Sequence, residues 1–229
     1  MAKQGMRIAA TTSLGEQRTP LTRERVLEAA VQLADHEGID AVSMRRLAQE
    51  LGVEAMSLYT HVESKDDLLN GMVEAVVGEI PISADASDWK SALRSQIFGA
   101  RQVLLRHPWA PAVIEGRSAP GPTMLRYYDV VMGTLREGGF TLELTHHAIH
   151  MLGSRMLGFT QDLFDDSPDQ TQEQTAQLAE QLGDAFPYVV EMALAASHSG
   201  SLGGCDDDVE FELGLDVILD GLERLNQAS

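Results

Sequence analysis

Residues 43–61 read Ser-Met-Arg-Arg-Leu-Ala-Gln-Glu-Leu-Gly-Val-Glu-Ala-Met-Ser-Leu-Tyr-Thr-His. Ser43 has the chemistry of an N-cap, and Leu47, Ala48 and Leu51 fall at helical spacing behind it. Gly52 follows at the position where the chain must turn tightly, because glycine takes positive φ without strain. Val53 packs beneath the turn, and Glu54 to His61 read as a further helix. Two short helices at such a turn form a helix-turn-helix, whose second helix exposes side chains to base edges in the major groove. With Val53 and Leu58 turned inward, Glu54, Ala55, Met56, Ser57, Tyr59, Thr60 and His61 remain outside. Ser57, Thr60 and His61 can hydrogen-bond to phosphates or base edges, Ala55 and Met56 can meet thymine methyls, and the Tyr59 hydroxyl can reach a phosphate.

Outward from this stretch the pattern stays helical. Thr22 is placed to cap a helix carrying Val26, Ala29, Ala30 and Leu33, which Gly38 ends in a left-handed conformation. Ser64-Lys65-Asp66-Asp67 resembles a capping box, with Asp67 reaching back, at the head of a long apolar-striped helix ending near Pro81. Ser87 or Asp88 opens the next, through Trp89, Leu93, Ile97, Ala100 and Leu104. Residues 107–122 hold Pro108, Pro111, Pro120 and Pro122 and read as a loop with one short turn. Helices are then expected at 122–137, 142–164, 174–183, 187–197 and 209–225. No alternating strand pattern and no internal repeat is found. The expected fold is all-α, with an arm over 1–20, a three-helix DNA-binding domain over 21–66, and a larger helical domain over 67–229.

Composition narrows the functions. The net charge is −18, but residues 1–65 hold eight Lys or Arg against nine Asp or Glu, and residues 66–229 hold nine against twenty-six. The acidity therefore lies outside the proposed DNA-reading segment, and an acidic body would favour docking through the near-neutral head. No run of eighteen apolar residues is found, so no membrane span is expected. The start of the chain lacks an apolar core followed by a cleavage site, which argues against a secretory signal. The single Cys205 forms no internal disulfide and fits a reducing cytoplasm. No nucleophile elbow, phosphate loop or paired acid and base marks an enzyme.

The segments Leu47-Ala-Gln-Glu-Leu-Gly-Val53, Ser57-Leu-Tyr-Thr-His-Val62 and Lys65-Asp-Asp-Leu-Leu69 make residues 22–80 similar to the N-terminal domain of the TetR family of one-component repressors. The resemblance implies that Arg45 reads a base from the second helix, that Ala55, Met56 and Ser57 sit where the family meets bases, and that Tyr59, His61 and Lys65 contact phosphate. Ser43 and Arg46 border the same face and complete the DNA-binding set. Ala55 and Met56 stand where the tetracycline-binding members carry Gln-Pro, and Thr60 replaces their Trp. These departures touch the operator sequence rather than the binding mode.

His107-Pro-Trp109, Gly121-Pro122, Gly138-Gly-Phe140, the stretch Leu152 to Phe159 and the stretch Phe211 to Leu222 resemble the C-terminal domain of the same family. This implies a small-molecule pocket, and a homodimer in which the helix at 142–163 and the last helix pair with their mates in a four-helix bundle. The last helix carries Phe211, Leu215, Ile218, Leu222 and Leu225 as one expected stripe, extended by Leu213, Val217 and Leu219. Trp109, Met124, Tyr127, Tyr128, His147, Met151, Arg155 and Phe159 are candidate pocket residues, each of which would also serve as plain core. Arg155, on an apolar stretch, needs an acceptor in the ligand or in the protein. His146 and His150 have a metal-compatible spacing, but no Cys or carboxylate nearby completes a set, and a surface or dimer-interface pair is the favoured reading. Ser154 and Ile114 fall where the tetracycline-binding members have histidines, which argues against a magnesium–tetracycline chelate. No metal and no cofactor is expected. The leading reading is a ligand-released homodimeric repressor of double-stranded operator DNA. The alternative is a non-inducible or nucleoid-type DNA binder without a pocket.

Overall fold

The structure is a computed structural model that describes residues 20–82, 88–117, 119–157, 185–196 and 207–228. Ten α-helices and one short 3-10 turn make up the regular structure among the described residues, with no strand, so the fold is all-α. The chain divides into two compact units, Met1–Leu68 and Leu69–Ser229.

In the first unit, α1 (Arg23–Glu37) begins at Thr22, whose side chain accepts a hydrogen bond from the Arg25 N–H. It ends at Gly38, where φ is +84° but ψ is 163°, so the chain leaves in an extended course rather than the left-handed one expected. A 3-10 turn over Ile39–Ala41 leads to α2 (Met44–Leu51), capped by the Ser43 hydroxyl. Gly52 is left-handed (φ 65°, ψ 36°), and the Val53 N–H reaches back 2.9 Å to the Ala48 carbonyl. Val26, Ala30, Leu33, Val42, Leu47, Leu58 and Val62 close the small core. Each fully buried Leu or Val contributes about 1.5–3 kcal/mol.

The recognition segment is shorter than the sequence suggested. α3 spans only Ala55–Leu58, and Tyr59 to His61 continue as turns. The Thr60 hydroxyl donates to the Ser57 carbonyl at 2.7 Å, and the His61 and Val62 N–H groups share the Leu58 carbonyl. This back-bonding of a β-branched residue draws the backbone out of regular α geometry. α4 (Lys65–Gly78) then starts at Ser64, whose hydroxyl accepts from the Asp67 N–H. The Asp67 carboxylate reaches the Glu63 N–H, one residue earlier than a simple capping box requires.

In the second unit, α5 (Trp89–Arg106) opens at Asp88, which accepts from the Ser91 N–H, and ends at His107. The stretch expected to be mainly loop contains α6 (Ala110–Glu115), with Pro111 in its first turn, where proline loses no intrahelical bond. α7 (Pro122–Glu137) also starts on a proline and stops at Gly138-Gly139, with φ +88° at Gly139. A Cβ on Gly121 would collide with the Glu74 carboxylate, which accepts the Thr123 N–H at 2.7 Å and lies 3.4 Å from Arg117 Nη1. α8 (Leu142–Leu157), α9 (Pro187–Ala196) and α10 (Asp207–Gln227) complete the described elements. The remainder of the expected 142–164 helix, the expected helix at 174–183 and Cys205 lie outside the described residues.

α5, α7, α8 and α10 pack around Leu93, Ile97, Val131, Leu135, Ala148, Leu152, Leu215 and Leu219. A ladder of ion pairs fastens α5 to α10. Lys90 meets Asp220 and Glu223, Arg94 meets Glu212 and Asp216, and Arg101 meets Asp208. Ascending α5 pairs with descending α10, so the two helices run antiparallel. Exposed pairs of this kind contribute up to about 1 kcal/mol each, so the ladder sets register more than it supplies stability. Arg101 also lies over the Phe211 ring at 4.5 Å, a contact an ammonium would make less well.

The inward face of α10 is Phe211, Leu215, Leu219 and Leu222. The expected stripe is corrected at two places: Ile218 is only half-buried, and Leu225 is exposed. Spacings of 4, 4 and 3 place Leu219 inward in place of Ile218. Val209, Leu213, Val217 and Leu225 form a separate exposed apolar row at four-residue steps, broken by Gly221.

Candidate functional site

Within the first unit, the turn at Gly52 sets the outer face of α2 beside that of α3. Leu47 and Leu58 are fully buried and pack the two helices on one core. Ser43 and Arg45 at α2, Met56 in α3, Tyr59 and Thr60 just after it, and Lys65 at the start of α4 are exposed, Met56 at 74%. Ala55, Ser57 and His61 are half-buried. The arrangement is a short helix whose small residues let the backbone approach a surface, flanked by a cation on each side.

Several of these groups already have work within the protein. The Ser43 hydroxyl caps α2. Arg46 pairs with Glu37 at 2.7 Å and with Glu50 at 3.5 Å, which raises its pKa and lowers that of Glu37. Arg46 therefore ties the end of α1 to α2, a role the sequence did not reveal. The Thr60 hydroxyl hydrogen is committed to the Ser57 carbonyl, so Thr60 offers outward only acceptor lone pairs and its methyl. Arg45 and Lys65, in contrast, are exposed and make no ion pair among the described residues.

One cluster escaped the sequence reading. Arg23 donates through Nη1 and Nη2 to both Asp67 oxygens at 2.8 and 2.7 Å, and through Nη1 to the His61 carbonyl at 2.7 Å. The guanidinium hydrogen bond, followed by that from the Glu63 N–H, holds the Asp67 carboxyl below the usual carboxylate range. The available signal was an Arg in the first turn of α1, where the helix dipole favours acids, so that a nearby carboxylate was needed.

In the second unit, Trp109, Met124 and Tyr127 are buried, and Tyr128 is half-buried with its ring 6.3 Å from that of Tyr127. Burial, followed by the neighbouring Tyr128, pushes the Tyr127 phenol up. His147 and Met151 are exposed on α8 rather than sealed in the core. The face of α8 turned to α5, α7 and α10 carries Leu144, Thr145, Ala148 and Leu152, and positions 147 and 151 lie off that ridge. Arg155 falls on α8 at a position whose side chain lies outside the described residues, as does Phe159. His146 and His150 are exposed with ring centroids 4.6 Å apart, and no group of three metal-ligating side chains forms among the described residues.

A further polar group lies in this core. Gln96 on α5 is 3% exposed, and its Nε2 donates to the Thr134 hydroxyl on α7 at 3.2 Å. Its Oε1 is buried without a hydrogen-bond partner among the described residues. An unsatisfied buried acceptor costs about 1–3 kcal/mol, so the site is polar by sequence and incomplete as it stands. The signal was legible: Gln96 occupies an inward position between Leu93 and Ala100, where the period calls for an apolar residue.

Both units match known families. Residues 26–72 match the model of bacterial regulatory proteins of the tetR family, and residues 81–225 match that of the tetracyclin repressor-like C-terminal domain. The chain belongs to the TetR family of transcriptional regulators. It is 34% identical over 218 residues to the HTH-type transcriptional repressor DrrR1 of Streptomyces coeruleorubidus, covering 90% of this chain and 78% of that protein. It is 30% identical over 212 residues to the class D tetracycline repressor of Escherichia coli, covering 89% of each. Among solved structures, ActR of Streptomyces coelicolor in complex with actinorhodin superposes with a TM-score of 0.72 at 30% identity, over 91% of this chain and 99% of that one. These relatives are regulators rather than enzymes. No helix among the described residues is long and apolar enough to cross a membrane.

Proposed function

We propose that this chain is a homodimeric repressor that binds a palindromic operator and leaves it when a small molecule occupies the second unit. The observation that carries the reading is the outer face of α2 and α3. Arg45 on α2 and Lys65 at the start of α4 make no ion pair among the described residues, and Met56 and Tyr59 are large side chains held out in water. Arg45 reads a base, Ala55, Met56 and Ser57 meet base edges, and Ser43, Tyr59, Thr60, His61 and Lys65 position the head on phosphate. Arg46 acts by keeping α2 in place. Such a protein works in the cytoplasm, where operator DNA is.

The exposed row Val209, Leu213, Val217 and Leu225 supports the homodimer, since a two-fold partner would cover it with its own copy. The unmet Oε1 of Gln96 supports a ligand with an apolar body and at least one O–H or N–H donor. The complex of ActR with actinorhodin supports a pocket of this kind in a relative. An effector can release DNA only by binding the two states of the protein with different affinity. α4 provides the covalent route, since it starts before Leu68 and runs on beyond it.

The test selects duplexes from a random-sequence pool with the wild-type chain, then titrates the winning duplex with actinorhodin and with magnesium–tetracycline in gel shifts. The expected result is one palindromic consensus, released by actinorhodin and not by the magnesium chelate. Binding without a consensus, or without response to a thermal-shift screen of hydroxylated aromatics, favours the non-inducible binder.

A further inference from the structure

α3 is a single turn of helix, Ala55–Leu58, and a helix that short has no stability of its own. Its direction must be imposed by what it is tied to. Leu58 and Val62 anchor its inner side in the core. Apolar packing of this kind fixes depth but resists rotation poorly, because dispersion contacts are non-directional. Within the segment the Thr60 hydroxyl and the His61 and Val62 N–H groups bond locally, and a side chain of α1 adds directional contacts from outside at its exit. The Arg23 guanidinium holds the His61 carbonyl at 2.7 Å while it grips both oxygens of Asp67. Asp67 in turn accepts the Glu63 N–H at 2.9 Å, and its own N–H is held by Ser64.

We infer that Arg23 and Asp67 form a latch that sets the orientation of the recognition segment, and that both are positioning residues for DNA binding rather than DNA contacts. The inference rests on the proposed function. One planar fork joins the first turn of α1, the last carbonyl of the recognition segment and the first turn of α4. The Asp67 carboxylate gathers donors from residues 23 and 63, so loosening it frees His61 and Glu63 together. The guanidinium suits this task and an ammonium does not, because only the fork can satisfy two carboxylate oxygens and a carbonyl in one plane.

The latch makes a prediction whose sign opposes simple electrostatics. Asp67→Asn removes a negative charge from a head that approaches phosphate, and charge alone would tighten DNA binding. Loss of the latch would instead weaken it, on the order of tenfold for a network coupling of about 1.4 kcal/mol. The amide that replaces the carboxylate keeps its shape and one acceptor oxygen, so the head stays folded, which far-UV circular dichroism and a urea midpoint check. Arg23→Lys keeps the charge and loses the fork, and is expected to weaken binding by a similar factor. Arg23→Gln separates position from contact. A phosphate contact would take about one unit off the slope of log affinity against log salt, whereas the latch leaves the slope as in wild type.

The probe is the duplex most enriched from the random pool by the wild-type chain. Weaker binding by folded Asp67→Asn and Arg23→Lys, with an unchanged slope for Arg23→Gln, supports the latch. Equal or tighter binding by Asp67→Asn, or a reduced slope for Arg23→Gln, overturns it while the proposed function stands. A wild-type chain that enriches no duplex overturns both.

Discussion

Val217→Asp is expected to take the protein apart into monomers. Val217 is 61% exposed and lies in the outward row with Val209, Leu213 and Leu225. Fully burying a Val or Leu side chain is worth about 1.5–3 kcal/mol. The part of Val217 that a partner would newly cover is therefore worth about 1–2 kcal/mol per copy. A two-fold interface meets each substitution twice, so the loss is about 2–4 kcal/mol before the cost of covering two carboxylates. At about 1.4 kcal/mol per decade this weakens the dimer roughly thirty- to a thousandfold. Sedimentation equilibrium over a wide concentration range reads the dissociation constant directly. Leu125→Asp, at an exposed apolar position on α7, serves as the control and should leave it unchanged. A wild-type chain that is monomeric at tens of micromolar, or a Val217→Asp chain as dimeric as wild type, would refute the assignment of this row to the interface.

Three further outcomes follow from the geometry. Gly52→Ala meets no atom within 4 Å but is forced to φ +65°, so it should cost about 1–2 kcal/mol of head stability through backbone strain alone, read as a lower urea midpoint. Asp67 has a depressed folded pKa, so its contribution to stability is complete above the unfolded value near 3.9 and is lost as the pH falls through the folded value. Urea midpoints should therefore fall between about pH 4.5 and pH 2.5 more steeply in wild type than in Asp67→Asn, and parallel curves would exclude Asp67 as a source. Gln96→Leu removes a buried acceptor that has no partner, and Thr134 keeps its bond to the Val130 carbonyl. It should melt at or above the wild-type temperature, and a lower melting temperature would show that Oε1 is satisfied in the free protein.

The all-α fold and the helix boundaries up to Gly139 were largely legible, because caps and breakers act locally. Thr22, Ser43, Ser64 and Asp88 each accept the N–H they were expected to cap. The recognition segment was read too long because its apolar spacing continues to Val62, whereas the Thr60 hydroxyl competes for the Ser57 carbonyl. The face of α10 was misread at Ile218 because an apolar helix with more than one apolar row does not declare which row is covered. Chemistry alone marks His147 and Met151 as pocket candidates, and their exposure on α8 depends on which neighbours α8 meets, which no local pattern reports. The roles of Arg46 and Arg23 depend on partners 9 and 44 residues away, a separation that no local pattern reports.

The pairing of the cations resolves the difficulty of an acidic DNA-binding protein more fully than the charge count does. In the second unit, Lys90, Arg94, Arg101, Arg106 and Arg117 are all engaged by carboxylates. Their charge is cancelled at contact distance, where it contributes little to the field farther out than a Debye length of about 8 Å. In the first unit, Arg23 and Arg46 are cancelled in the same way, while Arg45 and Lys65 make no ion pair among the described residues. Both are exposed and belong to the set proposed to meet DNA. If the proposed function holds, the excess of acids elsewhere disfavours other faces toward phosphate and leaves Arg45 and Lys65 as the cations that favour approach through the head.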